Sequence, residues 1–547
     1  VLNNTHNVNG VVVGAAASYS QLLTTTPLQV VTAGITISEP LLSVSLAIAG
    51  QTSTQWAGGL TVPFTVNISH VKTGSTVSTS PAFNLTIMDA FGGGLSIQSG
   101  TVALSSNYPL SPGVNAITYG NGASDTLLVV NILNLALYAN SSADITLTFN
   151  ATISPSILIV SNVSNLINVT YTSVPLGSGV TYRTYVASTS QSIYIPDTST
   201  WTHSLVSKTI TQLATNLTSI GEVLTLQVNV SLPEGTMASV VLQESVAPIE
   251  YPTGRLQILS ATILSLSGTL STTNHLAVGG SGVIQDLQYS DGILDTATFN
   301  FGNVTNLAND VLYSQASIVL QIAVVVPNVA QNVQGVSLAY ASTFGQLLRS
   351  SYRLLLPSVT VQEPAMTSTL QIATYNTQWD AGAVVPYLLT VAHLRSPSAS
   401  VSHAPAFQIV VNDTFNQYLL LVAGSVALSS NYPLQVGVNT ITPGNTAGDT
   451  IASIGLASMA LLNTTAADLA ATLNGTVANT AVIGSSVSNS INVTYYSSPL
   501  YQGIQYGRPY TSTSSVPLSV ADIGTIQHIL ASKSVPQLSS STTSVGE

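Results

Sequence analysis

Apolar and polar residues alternate one for one through almost every hydrophobic stretch of this chain. FTVNISHV from Phe64, FNLTIMDA from Phe83, ITLTFNATI from Ile145, INVTYTSV from Ile167, LTLQVNVSL from Leu224, IVLQIAVVV from Ile318 and VSLAYAST from Val336 all carry the pattern. A period of two is that of a half-buried strand, whose side chains point to opposite faces in turn. Charged pairs at helical i,i+4 spacing are nearly absent. β-branched residues fill the runs, and Gly, Pro, Asn and Ser separate them. NTTAADLAATL from Asn463 has some helical character, but its counterpart NSSADITLTFN from Asn140 alternates, so both are read as strands.

That counterpart exists because the chain repeats itself. GTVALSSNYPL at Gly100 returns as GSVALSSNYPL at Gly424, and TQWAGGLTVPF at Thr54 as TQWDAGAVVPY at Thr377. SPAFNLTIMDAF at Ser80 answers APAFQIVVNDTF at Ala404, pairing Asp89 with Asp413, and INVTYTSVPL answers INVTYYSSPL. HSLVSKTITQLATNLTSIGE at His203 answers HILASKSVPQLSSSTTSVGE at His528, pairing Lys208 with Lys533. The period, about 325 residues, is far longer than a solenoid unit, so each unit must hold complete domains. Inside the unit a weaker likeness relates DTLLVVNILNLALYAN at Asp125 to DTATFNFGNVTNLAND at Asp295. The expected fold is all-β: tandem antiparallel β-sandwich modules of immunoglobulin-like topology. The expected division is 1–36, the end of a B-type module; 37–176, module A; 177–361, module B; 362–500, module A again; and 501–547, the start of another B-type module. These ends fall out of phase with the repeat. The expectation is a window on a longer array, with strand addition between chains as the alternative.

Charged residues make up 5% of the 547 residues, against roughly 25% in ordinary domains. Ser, Thr, Asn and Gln must therefore cover the surface. With 45% hydrophobic residues the chain is too apolar for disorder. Its most apolar run, 316–330, is broken by Gln321, Pro327 and Asn328. It falls short of the ~18–20 residues of a spanning helix, so no membrane span is expected. A net charge of −11 with 9 scattered basic residues argues against nucleic acid. The absence of cysteine removes disulfides and thiolate chemistry. The chain begins at Val1 and reads as a mature or trimmed product.

Asn-X-Ser/Thr occurs at Asn3, Asn67, Asn84, Asn140, Asn150, Asn162, Asn168, Asn216, Asn229, Asn303, Asn412, Asn463, Asn474 and Asn492. A chain rich in these residue types produces such triplets by chance. Several nonetheless sit at outward strand positions, and glycans would supply the solubility that charges do not. An extracellular or cell-surface glycoprotein is expected.

Catalytic patterns are missing. There is no GxSxG, no Walker loop and no GxGxxG opening a helix, and FGGGLS at Phe91 reads as a turn. His70 and His393 are repeat partners, as are His203 and His528, but none stands at metal-ligand spacing. SDGILD at Ser290 is the nearest approach to a calcium loop and reads as a turn. Trp56 and Trp379, with Tyr171, Tyr495, Tyr496, Tyr501, Tyr506 and Tyr510, suit strand packing or inter-domain contact better than sugar binding. No enzyme activity and no cofactor are expected.

The strand order carries a resemblance. A Pro-led opening strand (SEPLLSVSLAIAG, QEPAMTSTLQIAT) precedes WAGGLTVPFTVNI, then AFNLTIMD, then a strand closing in INVTY. This resembles the repeated sandwich domains of the domain-of-unknown-function-11 family and is similar to the isopeptide-forming fimbrial domains of microbial surface proteins. The resemblance implies a stalk, adhesin or fibre without catalysis. It also implies a candidate Lys–Asn crosslink in module B formed by Lys208 and Asn332 beside Glu244; module A lacks the lysine. The functional expectation is a segment of an extracellular glycosylated filament or stalk. Its partners are itself, head to tail, and its covalent glycans. The alternative is an adhesin stalk that spaces a ligand-binding tip from the cell surface.

Overall fold

The computed structural model describes residues 5, 7–14, 16–19, 28–31, 34–49, 56–106, 116–118, 127–136, 143–175, 182–246, 254–287, 291–308, 315–346, 349–355, 358–374, 376, 378–395, 401–430, 440–441, 451–460, 468–522, 539 and 541–542. Among these every regular element is a strand, and no helix is long and apolar enough to cross a membrane.

The first sandwich pairs two sheets. One runs Leu42–Ile48, Thr61–His70, Ile145–Ile153, Leu95–Ile97, with Ala103–Ser106 also on Ile145–Ile153. The other runs Ala116–Thr118, Leu127–Leu135, Ala82–Phe91, Ser161–Thr172, Thr184–Ile195. This is an immunoglobulin-like arrangement: the first two strands share a sheet with Ile145–Ile153, while Ala82–Phe91 lies in the facing sheet between Leu127–Leu135 and Ser161–Thr172. The second copy repeats it strand for strand, from Met366–Ile372 to Pro509–Ser519. The middle sandwich lays Thr200–Lys208, Val223–Leu232, Ala316–Val325 and Gln257–Leu266 against a sheet in which Gly235–Ser245 is flanked by Thr296–Asn306 and Ala341–Gln346. The order is that of module A, so the weak internal likeness reflects shared topology.

Two boundaries are corrected. Thr184–Ile195 pairs along its whole length with Ser161–Thr172, and Pro509–Ser519 pairs likewise with Ser486–Tyr496. The expected breaks after 176 and after 500 therefore leave out the last strand of each A sandwich. Those strands, TYVASTSQSIYI and PYTSTSSVPLS, are edge strands, mostly exposed or half-buried, and little hydrophobic burial marks them in sequence. VSLAYAST is likewise two strands, Ser337–Leu338 and Ala341–Gln346. The segment before module A holds Val12–Val13 paired with Ile35–Thr36, the register of Ser337–Leu338 on Val359–Gln362.

Alternation fills the cores. Val62, Phe64, Val66 and Ile68 point inward from one strand, with Leu147 and Phe149 beside them, all nearly inaccessible. Burying each such side chain contributes roughly 1.5–3 kcal/mol. Phe149 stacks on Phe64 at 5.3 Å and meets Phe91 edge-on at 5.6 Å. In the second copy Leu473 replaces Phe149, and Tyr387, in the place of Phe64, meets Phe415 edge-on at 5.9 Å.

Candidate functional site

One set of recurring polar contacts lies at the junctions between sandwiches. At the first junction the turn after Ile145–Ile153 pairs with the start of the middle sandwich. Ile159 N donates to Thr236 O (2.9 Å) and Thr236 N to Ile157 O (2.8 Å). Gly235 permits this approach: its φ is +129°, and a Cβ there would lie 2.8 Å from Ile157 O. The apolar cores of the two sandwiches join into one continuous cluster.

The second junction is built by the loop that the repeated HSLVSKTITQLATNLTSIGE motif encodes. Glu222, fully buried, accepts from Ile210 N (2.9 Å), Thr218 Oγ1 (2.9 Å) and Ser219 N (3.1 Å), folding the loop around one carboxylate. Lys208 Nζ stands 3.5 Å from Glu222 Oε1 and donates to the carbonyls of Ala214 and Leu217. Burial pushes the Lys208 ammonium down and the Glu222 carboxyl up, and their mutual attraction opposes both shifts. The loop so held presents three surfaces to the next sandwich. Ile210 and Leu213 pack on Ala404 and Phe407. Ile220 O accepts from Ser497 Oγ (2.6 Å). Gly221, with φ +82°, comes so close to Gly507 that an added Cβ would lie 2.3 Å from its nitrogen. Alongside, Tyr501 and Tyr506 pack against Val223, Ala323 and Val325, so these tyrosines serve inter-domain contact.

Arg508 closes the junction. Its Nε donates to Asn328 Oδ1 (2.7 Å), Nη2 to Val329 O (2.7 Å) and Asn332 O (2.9 Å), and Nη1 to Glu363 Oε1 (2.8 Å). Tyr510 donates to the same Glu363 oxygen while stacking on Tyr495 at 5.2 Å. Glu363 in turn exchanges hydrogen bonds with Gln334. The first copy has the same clasp: Arg183 and Tyr185 on Glu39, Glu39 exchanging hydrogen bonds with Asn9, and Tyr185 stacked on Tyr171. Burial, with the Glu39 carboxylate beside it, pushes the Tyr185 hydroxyl up to about 12.

Each A sandwich also encloses two polar clusters. His70 Nδ1 lies 3.0 Å from Asp144 Oδ2, and Lys72 Nζ donates to Asp144 Oδ1 (2.8 Å). His393, Asp468 and Arg395 repeat this at 2.8 and 2.6 Å. Burial holds the His70 imidazole below its ordinary value. Asp89 sits against Asn165, and Asp413 against Asn489, all buried. The sequence flagged Asp89 and His70 singly; their partners could have been found as residues that recur together in both copies.

The expected crosslink residues are kept apart. Glu244 accepts from Ser342 Oγ (2.6 Å) and lies 3.2 Å from His203 Nε2. Asn332 Nδ2 donates to Arg255 O and Pro327 O. No hydrogen bond or ion pair joins any two of Lys208, Glu244 and Asn332, because Lys208 serves the Glu222 loop instead. The acidic residues of SDGILD serve the turn and its flanks, Asp291 accepting from Ile293 N and from Arg255 Nε. Gly292 N donates to Asp286 Oδ2, and Asp295 Oδ1 accepts from Leu287 N and Thr296 Oγ1. Among the described residues no group of three or more acidic, His or Cys side chains is placed to hold a metal.

Among the sequon asparagines, Asn162, Asn216, Asn229, Asn303 and Asn492 are exposed. Asn67, Asn84, Asn150, Asn168, Asn412 and Asn474 are half-buried. Asn3, Asn140 and Asn463, and Lys533 with them, lie outside the described residues. Among the described sequon asparagines Asn84 alone spends its amide on two acceptors, Thr172 Oγ1 (2.8 Å) and Val174 O (3.2 Å).

No family model matches the sequence, so the resemblance to the domain-of-unknown-function-11 family has no family-level match, and no curated protein matches either. Among solved structures, a C-terminal fragment of the major pilin GBS80 of Streptococcus agalactiae is similar at 9% identity and a TM-score of 0.23. The match covers 59% of this chain and 91% of that one. A putative membrane anchored protein of Corynebacterium diphtheriae is similar at 11% identity and a TM-score of 0.19, over 95% and 98%. The collagen adhesin of S. aureus is similar at 12% identity and a TM-score of 0.15, over 57% and 93%.

Proposed function

We propose that this chain is a structural segment of an extracellular, glycosylated stalk or filament, in which β-sandwiches are docked end to end. The observation that carries the reading is the second junction. A loop folded around buried Glu222 and the four-bond clasp of Arg508 join two sandwiches directly, where a flexible linker would suffice for two independent domains. Arg183 and Glu39 recur at the start of the other A sandwich, as a periodic array needs. A chain with so few charges gains solubility from sugars on its outward asparagines.

The test is cryo-electron microscopy of the native material. Periodic filaments of these sandwiches, with branched density on exposed sequons such as Asn162 and Asn492, are the expected result. Isolated monomers with bare asparagines would overturn the reading. A uniform shaft ending in a distinct ligand-binding domain would move it to an adhesin stalk.

A further inference from the structure

The outer face of the Ala82–Phe91 sheet differs between the two A sandwiches in a way their shared fold does not require. Directly opposed residues on neighbouring strands point to the same face. In the first copy Asn168 stands beside Met88, and Met88 beside Val129; in the next row Leu166, Ala90 and Leu127 align. In the second copy the same rows read Asn492, Asn412, Ser453 and Ser490, Thr414, Ile451. Met88 and Leu166 are each 41% exposed. Their counterparts Asn412 and Ser490 are polar, and Asn412 accepts a hydrogen bond from Ser453 Oγ at 2.7 Å. One copy thus carries an apolar block next to its sequon asparagine, and the other a floor that is polar except for Ile451, itself 41% exposed.

We propose that an N-linked glycan on Asn168 lies down across the block of Met88, Leu166, Ala90 and Leu127, with the C–H faces of its proximal sugars against these side chains. The corresponding glycan on Asn492 stands away from its sheet. The proposal rests on the glycosylated reading given above. Asn168 is the cross-strand neighbour of Met88, so a sugar joined there has the block within immediate reach. The cover removes apolar surface from water, and a sugar, unlike a passing partner, is held there covalently.

Methionine oxidation measures the cover directly, because thioether oxidation follows exposure. Of the four methionines, Met237, Met366 and Met459 are buried, and Met88 is the exposed one. The native full chain is treated with dilute peroxide and mapped by mass spectrometry, beside Asn168→Gln and Asn492→Gln. Met88 is expected to oxidise several-fold more slowly in native protein than in Asn168→Gln, while Asn492→Gln leaves its rate unchanged. The buried methionines stay slow in all three, which reports intact folding. Equal Met88 rates with Asn168 occupied would overturn the proposal and leave the glycoprotein reading standing. The same map shows occupancy, so a bare Asn168 would overturn the proposal through the reading beneath it. Protection that survives in Asn168→Gln but vanishes on dilution would assign the block to a second copy of the chain and overturn the glycan placement.

Discussion

Asn165 Nδ2 donates to Asp89 Oδ2 across 3.4 Å inside the first sandwich, and Oδ1 of both residues is buried without a partner. Asn489 and Asp413 repeat the relationship at 3.3 Å, with the same two oxygens unpartnered. A protonated carboxyl resolves both, because its O–H can donate to the amide oxygen while the amide N–H donates back. Burial pushes Asp89 up to about 8 and Asp413 up to about 7, against the weaker pull of the asparagine hydrogen bond.

A direction of pH dependence follows. An unfolded aspartate titrates near ~3.9, so at intermediate pH the folded chain holds protons that the unfolded chain has released. The contribution of these pairs to stability is complete below about pH 4 and is lost as pH rises through about 7 and about 8. Asp89→Asn with Asp413→Asn should flatten that decline and, at about pH 9, stabilise the fold by roughly 1–3 kcal/mol. Thermal melts of both proteins across pH check this; parallel slopes would rule it out.

Arg508→Ala removes three hydrogen bonds across the second junction, to Asn328, Val329 and Asn332, and a fourth to Glu363. Loss of charged hydrogen bonds from a half-buried site should weaken docking by about 2–3 kcal/mol, with both sandwich cores intact. Small-angle scattering should show a broader distribution of dimensions, and limited proteolysis should cut near 363 before either sandwich unfolds.

Gly221→Ala tests the close approach itself. The added methyl meets backbone atoms of Gly507 and sits on a residue with φ +82°. It should cost roughly 1–3 kcal/mol, read as earlier loss of docking in urea. An alanine at Gly279, also at positive φ but with open space around its Cβ, is the control for backbone strain alone.

Lys208 should carry no crosslink. The intact mass should show no loss of ammonia, and Lys208→Met should leave it otherwise unchanged. Glu222→Ala, which strands three donors and the Lys208 ammonium, should destabilise the loop by about 3–5 kcal/mol in urea titration.

Occupancy should follow exposure among the sequons. Asn162, Asn216, Asn229, Asn303 and Asn492, and the half-buried Asn168 whose amide is not so engaged, should be modified and Asn84 bare, since a sugar on its amide displaces a hydrogen bond to Thr172 or Val174. Glycopeptide mapping decides it, and a fully occupied Asn84 would contradict it.

Strands with one wet and one buried face were legible, since all of FTVNISHV but its last residue lies inside the strand Thr61–His70, and ITLTFNATI fills Ile145–Ile153. The closing edge strands were not, because a row of Ser and Thr half-buried on one side carries almost no hydrophobic contrast. The repeat of HSLVSKTITQLATNLTSIGE was visible, but its purpose was not. Glu222 works through backbone amides up to twelve residues away, and Arg508 reaches carbonyls about 180 residues distant. Fimbrial resemblance directed attention to Lys208 for a bond with Asn332, while burial assigned it to Glu222.

The contact between Gly221 and Gly507 bears on how such a gene can be rearranged. The first copy has Tyr182 where the second has Gly507, and Val174 where the second has Ser498. Position 507 has no spare volume: a Cβ there would already lie 2.8 Å from Ser498 Oγ. A B-type sandwich carrying the Gly221 loop would meet the Tyr182 side chain on the first A sandwich where it meets a glycine on the second. Tandem repeats invite unequal recombination, yet a shuffled product would meet a side chain where this joint needs a glycine. Copy order in this protein is thus written in side-chain volume, as a tongue that fits one groove of two.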